Sequence, residues 1–184
     1  MHPLAILQLM ALLTIANGTP LIAKKMFGRR FARPVDAGIT FFDQRPLLGS
    51  SKTLRGILLS IPVTTASAPL VGVAPGVGTL VAIAAMAGDL FSSFMKRRLN
   101  LPPSSQALGL DQVPESLFPL LACRFSLALT AADIALGIVI FFVGELALSR
   151  ALQSAPARRT ILARRFPKWL MADRVRIVSI PRCR

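Results

Sequence analysis

The sequence predicts an all-α integral membrane protein, a bundle of about five transmembrane helices joined by long cytoplasmic loops. Three observations predict it. Of 184 residues, 53% are hydrophobic and only 16% charged, with a mean hydropathy of +0.60; a soluble domain carries nearer a quarter charged residues. The apolar residues fall in runs close to the roughly 20 residues that cross a bilayer. The cations gather in alternate connections between those runs, the pattern that positive-inside sorting produces. A net charge of +14 would also suit nucleic acid, but the basic residues lie between apolar runs rather than on one polar domain, so no nucleic-acid partner is expected.

The first span is predicted over Pro3–Ala23, free of charge apart from the terminal His2. It lacks the basic start and small-residue cleavage site of a signal peptide. Asn17-Gly18-Thr19-Pro20 interrupts its end, either as a simple helix stop or as a polar turn that lines a ligand site. A polar loop follows over Lys24–Arg55, with eight cations against Asp36 and Asp43. Within it, Gly49–Gly56 combines small residues, hydroxyls and two cations, without the spacing of a P-loop. If Thr53 opens the next helix, the nearby N–H groups and Lys52 face one place and form an anion site. Taken alone, the run reads more simply as a basic loop held to anionic membrane lipids.

The second span is predicted over Leu54–Val73, kinked by Pro62 and Pro69. The third is Val77–Met95 and the fourth Glu115–Ala132, with Arg124 near its middle. The fifth is Ile134–Ser149, after a turn holding Asp133. Arg124 needs a partner in an apolar span, and Glu145 is the candidate. The spans and loops make residues 1–149 one domain. Residues 150–184 form a basic tail, interfacial or disordered, with ten cations against Asp173. Basic loops at 24–55, at 96–98 and after 150 place the N-terminus outside and the C-terminus in the cytoplasm, in the inner membrane of the cell.

The candidate site is organised around Gly88–Ser116. Asp89 sits in an otherwise apolar run, where an ionisable group is costly and by default functional. On a helix, Ser92, Ser93 and Lys96 share its face, and Phe91, Phe94 and Met95 lie opposite. Asp111 and Glu115 follow after a Pro/Ser/Gly-rich loop. The topology brings these residues and Lys52 to one membrane face. Carboxylates suited to Mg2+ and cations suited to phosphates point to phosphoryl-type transfer, which asks mainly for positioning and charge neutralisation; two metal ions are possible. The lone His2 leaves no imidazole acid–base chemistry. Cys123 and Cys183 have no partner at metal-ligand spacing.

The stretches ANGTPLIAKKMFG, PVDAGITFFDQRPLLGSSKTLRG and AGDLFSSFMKRRLNLPPSSQALGLDQVPESLFPLL resemble the CDP-archaeol synthase family, densely over residues 15–121. That family is similar in turn to the phosphatidate cytidylyltransferases. Their S-x-K-T-x-E-G loop matches Ser50–Gly56, with Arg55 for Glu. Their G-D-L-x-x-S-x-x-K-R signature matches Gly88–Arg97. Their D-x-x-D-S resembles Asp111–Ser116, with one extra residue and Glu115 for the second Asp.

The resemblance implies a Mg2+-dependent transfer of a cytidylyl group from CTP to a lipid phosphate, for phospholipid biosynthesis. It implies Asp89, Asp111 and Glu115 as metal ligands, with Asp89, Lys96 and Asp111 catalytic. Arg97 with Lys96 would neutralise phosphates. Ser51, Lys52, Thr53 and Arg55 would hold a phosphate group, with Ser93, Asn17 and Lys24 also at the substrate. Ala37 and Gln44 stand where the family pattern has Gly. The alternatives are a CTP-dependent kinase of an isoprenoid alcohol and a non-enzymatic transporter. The lipid, the number of metal ions and the oligomeric state are left open.

Overall fold

The computed structural model describes residues 2–28, 30–49, 51–101, 107 and 109–154. Ser50, the 102–106 part of the loop and the tail beyond 154 lie outside the described residues. Five α-helices run in order: α1 Pro3–Phe27, α2 Leu54–Ser67, α3 Pro75–Arg98, α4 Gln112–Ala122 and α5 Ala131–Ser154, with one 3-10 turn at Pro69–Val71. The chain divides into two compact units, Met1–Ala147 and Leu148–Arg184. The described part of the second is the end of α5. Helices α1, α3 and α5 are each long and apolar enough to cross a membrane, and the protein is a multi-pass membrane protein.

The first helix does not stop at Asn17–Pro20. Proline lacks an N–H, so the carbonyl four residues earlier loses its helical donor. That carbonyl is Ala16, and the Ser60 hydroxyl of α2 donates to it at 2.8 Å. The neighbouring helix thus supplies the missing bond, and α1 continues to Phe27. Small residues bring the helices close elsewhere too. Gly78 of α3 lies against Ala68 and the Thr64 carbonyl, and Thr65 and Thr79 hydroxyls meet at 2.8 Å. Two apolar clusters fill the bundle, one around Leu12, Val81 and Leu120, the other around Leu13, Ala85 and Phe141.

The fourth crossing differs from the expected span Glu115–Ala132. Helix α4 has 11 residues, about 16 Å of rise against the roughly 30 Å of a hydrocarbon core. Residues 123–128 are turns. What ends this stretch and opens α5 is a reciprocal cap. The Asp133 N–H donates to the Thr130 hydroxyl at 3.2 Å, and the Thr130 N–H donates to the Asp133 carboxylate at 3.0 Å. Asp133 is therefore in the first turn of α5, and it also accepts from the His2 backbone N–H at 3.0 Å. The starts of α1 and α5 meet there, at the end of the bundle opposite the 24–55 loop.

The expected Arg124–Glu145 pair does not form. The Arg124 guanidinium lies 5.8 Å above the Phe125 ring, near the start of α5. Glu145 is twelve residues beyond Asp133, about 18 Å along the helix.

The 30–52 loop is built around Asp36. Its carboxylate accepts from the N–H groups of Gly38 at 3.2 Å, Leu48 at 3.0 Å and Gly49 at 2.8 Å. Burial raises the Asp36 pKa, but these backbone bonds outweigh it and hold the carboxyl below its ordinary value. The sign follows: the stabilisation is full above the ordinary carboxylate pKa and is lost as pH falls through the lowered one. Hydrogen bonds to a charged group are worth roughly 1.5–3 kcal/mol each. Asp36→Ala is thus expected to speed protease cleavage within 30–49 several-fold at neutral pH, and wild-type protein should approach that rate only in strong acid. Equal cleavage rates at neutral pH would remove this role.

Ala37 and Gln44, where the family pattern has Gly, both keep a left-handed backbone, with φ 47° and 59°. The loop retains the glycine conformation without the glycine, at a cost of about 1–2 kcal/mol per residue. Arg98 pins the far side of the loop to α3. It pairs with Asp43, donates to the Pro46 carbonyl at 2.8 Å and stacks between Phe41 and Phe94, 4.9 and 5.0 Å from their centroids.

Candidate active site

Helix α3 carries the site, and its polar stripe turns inward as its spacing predicts. Ser92, Ser93 and Lys96 are buried, while Phe91 is exposed on the outer side. Asp89 lies nine residues before Arg98, about 13 Å down the helix from the polar rim. What allows a second helix to reach it is Gly88. A Cβ there would sit 2.3 Å from the Pro114 carbonyl oxygen and 2.9 Å from Glu115 Cα. The missing side chain lets the α4 backbone touch α3 directly.

That contact sets Glu115 beside Asp89, with their carboxyl groups in hydrogen-bonding reach. Asn17 of α1 donates to the Glu115 carboxylate at 3.3 Å. From the loop, Lys52 forms an ion pair with Asp89. Both side chains keep about a fifth of their surface exposed, 23% and 19%, because they border a cavity of about 220 Å³. Lys24, Ser51, Lys52, Thr53, Arg55 and Asp89 are among its lining residues. This is smaller than a pocket for a whole drug-sized ligand, and of a size for the phosphate end of one.

Thr53 is the N-cap of α2, as the sequence suggests, and its hydroxyl accepts from the Gly56 N–H at 3.4 Å. The cap leaves the first N–H groups of α2 near Lys52, where helix geometry favours an anion. Arg55 is more committed than expected. Its guanidinium donates to the Gly28 carbonyl at 3.4 Å and to the Arg30 carbonyl, capping the end of α1. It supplies positive charge to the cavity wall while holding the loop.

A second ion pair lies two turns along α3, about 10 Å from Asp89. Lys96 pairs with Asp111 at 2.8 Å. Asp111 also accepts from the Ala107 N–H at 3.2 Å. The buried Arg97 side chain runs under Gly49, 3.6 Å from where a Cβ would be. Gly49 has φ +87°, a conformation that leaves the loop tip open to the arginine.

The three expected metal ligands are therefore not gathered at one point. The structure joins Asp89 with Glu115 and sets Asp111 apart against Lys96. Among the described residues no group of three or more His, Cys, Asp or Glu is close enough to hold a metal ion. Two carboxylates in mutual contact still make a hard-oxygen donor pair that a divalent cation fits, completed by substrate phosphates. Ser93, buried without a hydroxyl partner among the described residues, shares the Asp89 face.

Sequence reasoning gave Glu145 the wrong neighbour. It lies within electrostatic reach of Asp89, Asp111 and Lys52. Counting from the Thr130-x-x-Asp133 cap would have put it at this end of α5.

Fold and site together define a polytopic helical membrane protein with a cationic, carboxylate-floored cavity inside its bundle. The comparisons with known proteins agree. The family model described as CarS-like CDP-archaeol synthase matches residues 66–152. The CDP-archaeol synthase of Pyrococcus furiosus is 44% identical over 43% of this chain and 53% of its own length. That of Aeropyrum pernix is 38% identical over 67% of this chain and 65% of its own. A solved structure of an intramembrane enzyme for archaeal membrane lipid biosynthesis superposes with a TM-score of 0.66 at 31% identity, over 77% of this chain and 90% of that one. The chain belongs to the CDP-archaeol synthase family. It spans about half to two thirds of the length of the curated relatives it matches.

Proposed function

We propose that the protein is a membrane CTP:lipid-phosphate cytidylyltransferase whose lipid is an archaeol-type prenylated glycerol phosphate. The observation that carries this reading is the Lys52–Asp89 ion pair on the floor of the cationic cavity, in a chain of this family. A phosphate oxygen of the lipid attacks the α-phosphorus of CTP. The bond from that phosphorus to the bridging oxygen breaks, and pyrophosphate leaves with the electron pair.

The protein's own part is placement and charge. Lys24, Lys52, Arg55 and the N–H groups at the start of α2 neutralise the triphosphate, and the Ser51 and Thr53 hydroxyls orient it. Lys96 and Arg97, with Asp111 fixing Lys96, receive the second phosphate group. Asp89 and Glu115 would hold Mg2+, with Asn17 orienting Glu115; when bound, the ion supplies positive charge to the phosphate oxygens. The cavity lies at the cytoplasmic face of the cell membrane, with the N-terminus outside and the C-terminus cytoplasmic. Residues 150–184, with their excess of cations, are attracted to anionic lipids.

The test is the position of a label. In vesicles holding an archaeol-type lipid phosphate and Mg2+, α-labelled CTP is expected to label the lipid and release unlabelled pyrophosphate. Label reaching the lipid only from γ-labelled CTP would make the protein a kinase, and no CTP-dependent product with any lipid phosphate would leave it a transporter or scaffold.

A further inference from the structure

The 30–52 loop ends on the cavity residues Ser51 and Lys52, and its outer edge has no role in the scheme above. That edge is apolar. Phe42 is 97% exposed and Phe31 79%, with Ile39 exposed between them in the chain. A defined backbone holds both rings outward. Phe42 stands at the corner of a tight hairpin. The Gln44 N–H donates to the Phe41 carbonyl and the Phe41 N–H to the Arg45 carbonyl, both at 2.9 Å, and Thr40 bridges Pro46. Gln44, at φ 59°, supplies the left-handed residue that a three-residue hairpin loop uses. Such corners ordinarily carry proline or short polar residues. Phe31 is itself left-handed, at φ 57°, an outlier for a bulky side chain. The Arg55 guanidinium, on the Gly28 and Arg30 carbonyls, fixes the backbone before it.

The surroundings of that edge place it against the bilayer. Rings step outward from α3: Phe41 packs edge-on to Phe94 at 5.5 Å, and Phe42 edge-on to Phe41 at 5.1 Å. Phe94 lies one turn before the end of α3, a helix of 24 residues, about 36 Å long against a hydrocarbon core of roughly 30 Å. The stack therefore starts at the rim of the bilayer. Phe31 lies four residues past the end of α1, where the same loop begins. Lys25, Arg30 and Arg33, close by in the chain, are exposed too. Apolar rings interleaved with cations match the acyl–glycerol boundary beneath anionic headgroups.

We propose that the outer edge of the loop is an interfacial anchor: Phe31 and Phe42 insert at the acyl–glycerol boundary of an anionic membrane surface, and Arg30 and Arg33 meet its headgroup phosphates. Its purpose rests on the cytidylyltransferase reading, because the anchor holds Ser51 and Lys52 at the depth of a lipid phosphate; its detection does not.

The full chain in lipid nanodiscs tests it. Trp169 is the single tryptophan, so Trp169→Phe gives a dark background into which Phe42→Trp, Phe31→Trp and Val143→Trp are placed one at a time. The discs hold phosphatidylglycerol with phosphatidylcholine brominated near the glycerol or near the chain ends. Both loop reporters are expected to lose at least about half their emission to the shallow bromines, as insertion by about 5–10 Å requires, and much less to the deep ones. Val143, exposed in the middle of α5, should show the reverse order. Phe31→Trp serves alone if Phe42→Trp fails to fold. Neutral lipid in place of phosphatidylglycerol should reduce the shallow quenching of the loop reporters and leave Val143→Trp as it was; an unchanged loop signal overturns the part given to the arginines. Loop reporters that neither brominated lipid quenches, with Val143→Trp quenched, overturn the anchor, whether their emission shows water or a covering protein. The catalytic reading would stand in that case.

Discussion

Asp89→Asn is expected to cut CDP-lipid formation by at least about a thousandfold, the scale on which one well-placed electrostatic group acts in a site shielded from water, while the protein still inserts and purifies as wild type does. The reasoning is geometric. Asp89 joins two parts of the site: it pairs with Lys52 from the loop and lies beside Glu115 from α4. Neutralising it removes one of two adjoining cation ligands and frees Lys52 from its partner. Lys52 then has no anchor over the phosphate position. The stability cost falls between that of an exposed and a buried pair, because about a fifth of each side chain is open to solvent. Lys96→Ala is expected to be as damaging by a separate route. It leaves the mostly buried Asp111 with no cation opposite, so that a carboxylate faces the incoming phosphate. Turnover within tenfold of wild type in Asp89→Asn would remove the site, and the same result in Lys96→Ala would remove the second phosphate position from it.

Much of this arrangement could be read from residues in order, and the parts that could not have a common cause. Helix α3 announced itself, since period 3.6 puts Asp89, Ser92, Ser93 and Lys96 on one face and the structure buries that face. The cap at Thr53 was an equally local signal. What failed were inferences needing a partner from another element. Asn17–Pro20 could be read as a helix stop as readily as a lining turn, because Ser60, which repairs the gap at Ala16, is 44 residues away. The run Glu115–Ala132 looked like a span because its hydropathy is continuous. The cap that divides it, Thr130 with Asp133, is a specific pair of side chains that hydropathy does not register. Taking that run as one span set Arg124 at mid-helix and so misassigned Glu145 to it, since apolar spans offer no internal ruler. The family resemblance supplied the acidic set Asp89, Asp111 and Glu115, but not the fact that Asp111 pairs with Lys96 rather than joining the other two.

Gly88→Ala should be the most damaging substitution of a single methyl group outside the charged residues. The new Cβ would meet the Pro114 carbonyl at 2.3 Å and Glu115 Cα at 2.9 Å. Both are backbone atoms of a helix and cannot rotate aside, so α4 must move away from α3. Overpacking of this kind costs about 1–3 kcal/mol. A displacement near 1 Å at a reacting centre costs about a hundredfold in rate. Both effects are expected, because α4 carries Glu115 and the same movement withdraws it from Asp89.

Gly78→Ala separates the two effects. Its Cβ would lie 2.6 Å from Ala68 Cβ and 3.1 Å from the Thr64 carbonyl, an overlap of similar kind near the start of α3, ten residues from Gly88. It should lower the melting temperature in detergent and leave turnover per folded molecule near wild type. Gly144→Ala, with nothing within 4 Å, should leave both unchanged or gain a little stability from helix propensity. Normal turnover in Gly88→Ala, or an equal loss of turnover in Gly78→Ala, would show that the close approach of α3 and α4 serves packing alone and does not place Glu115 for the reaction.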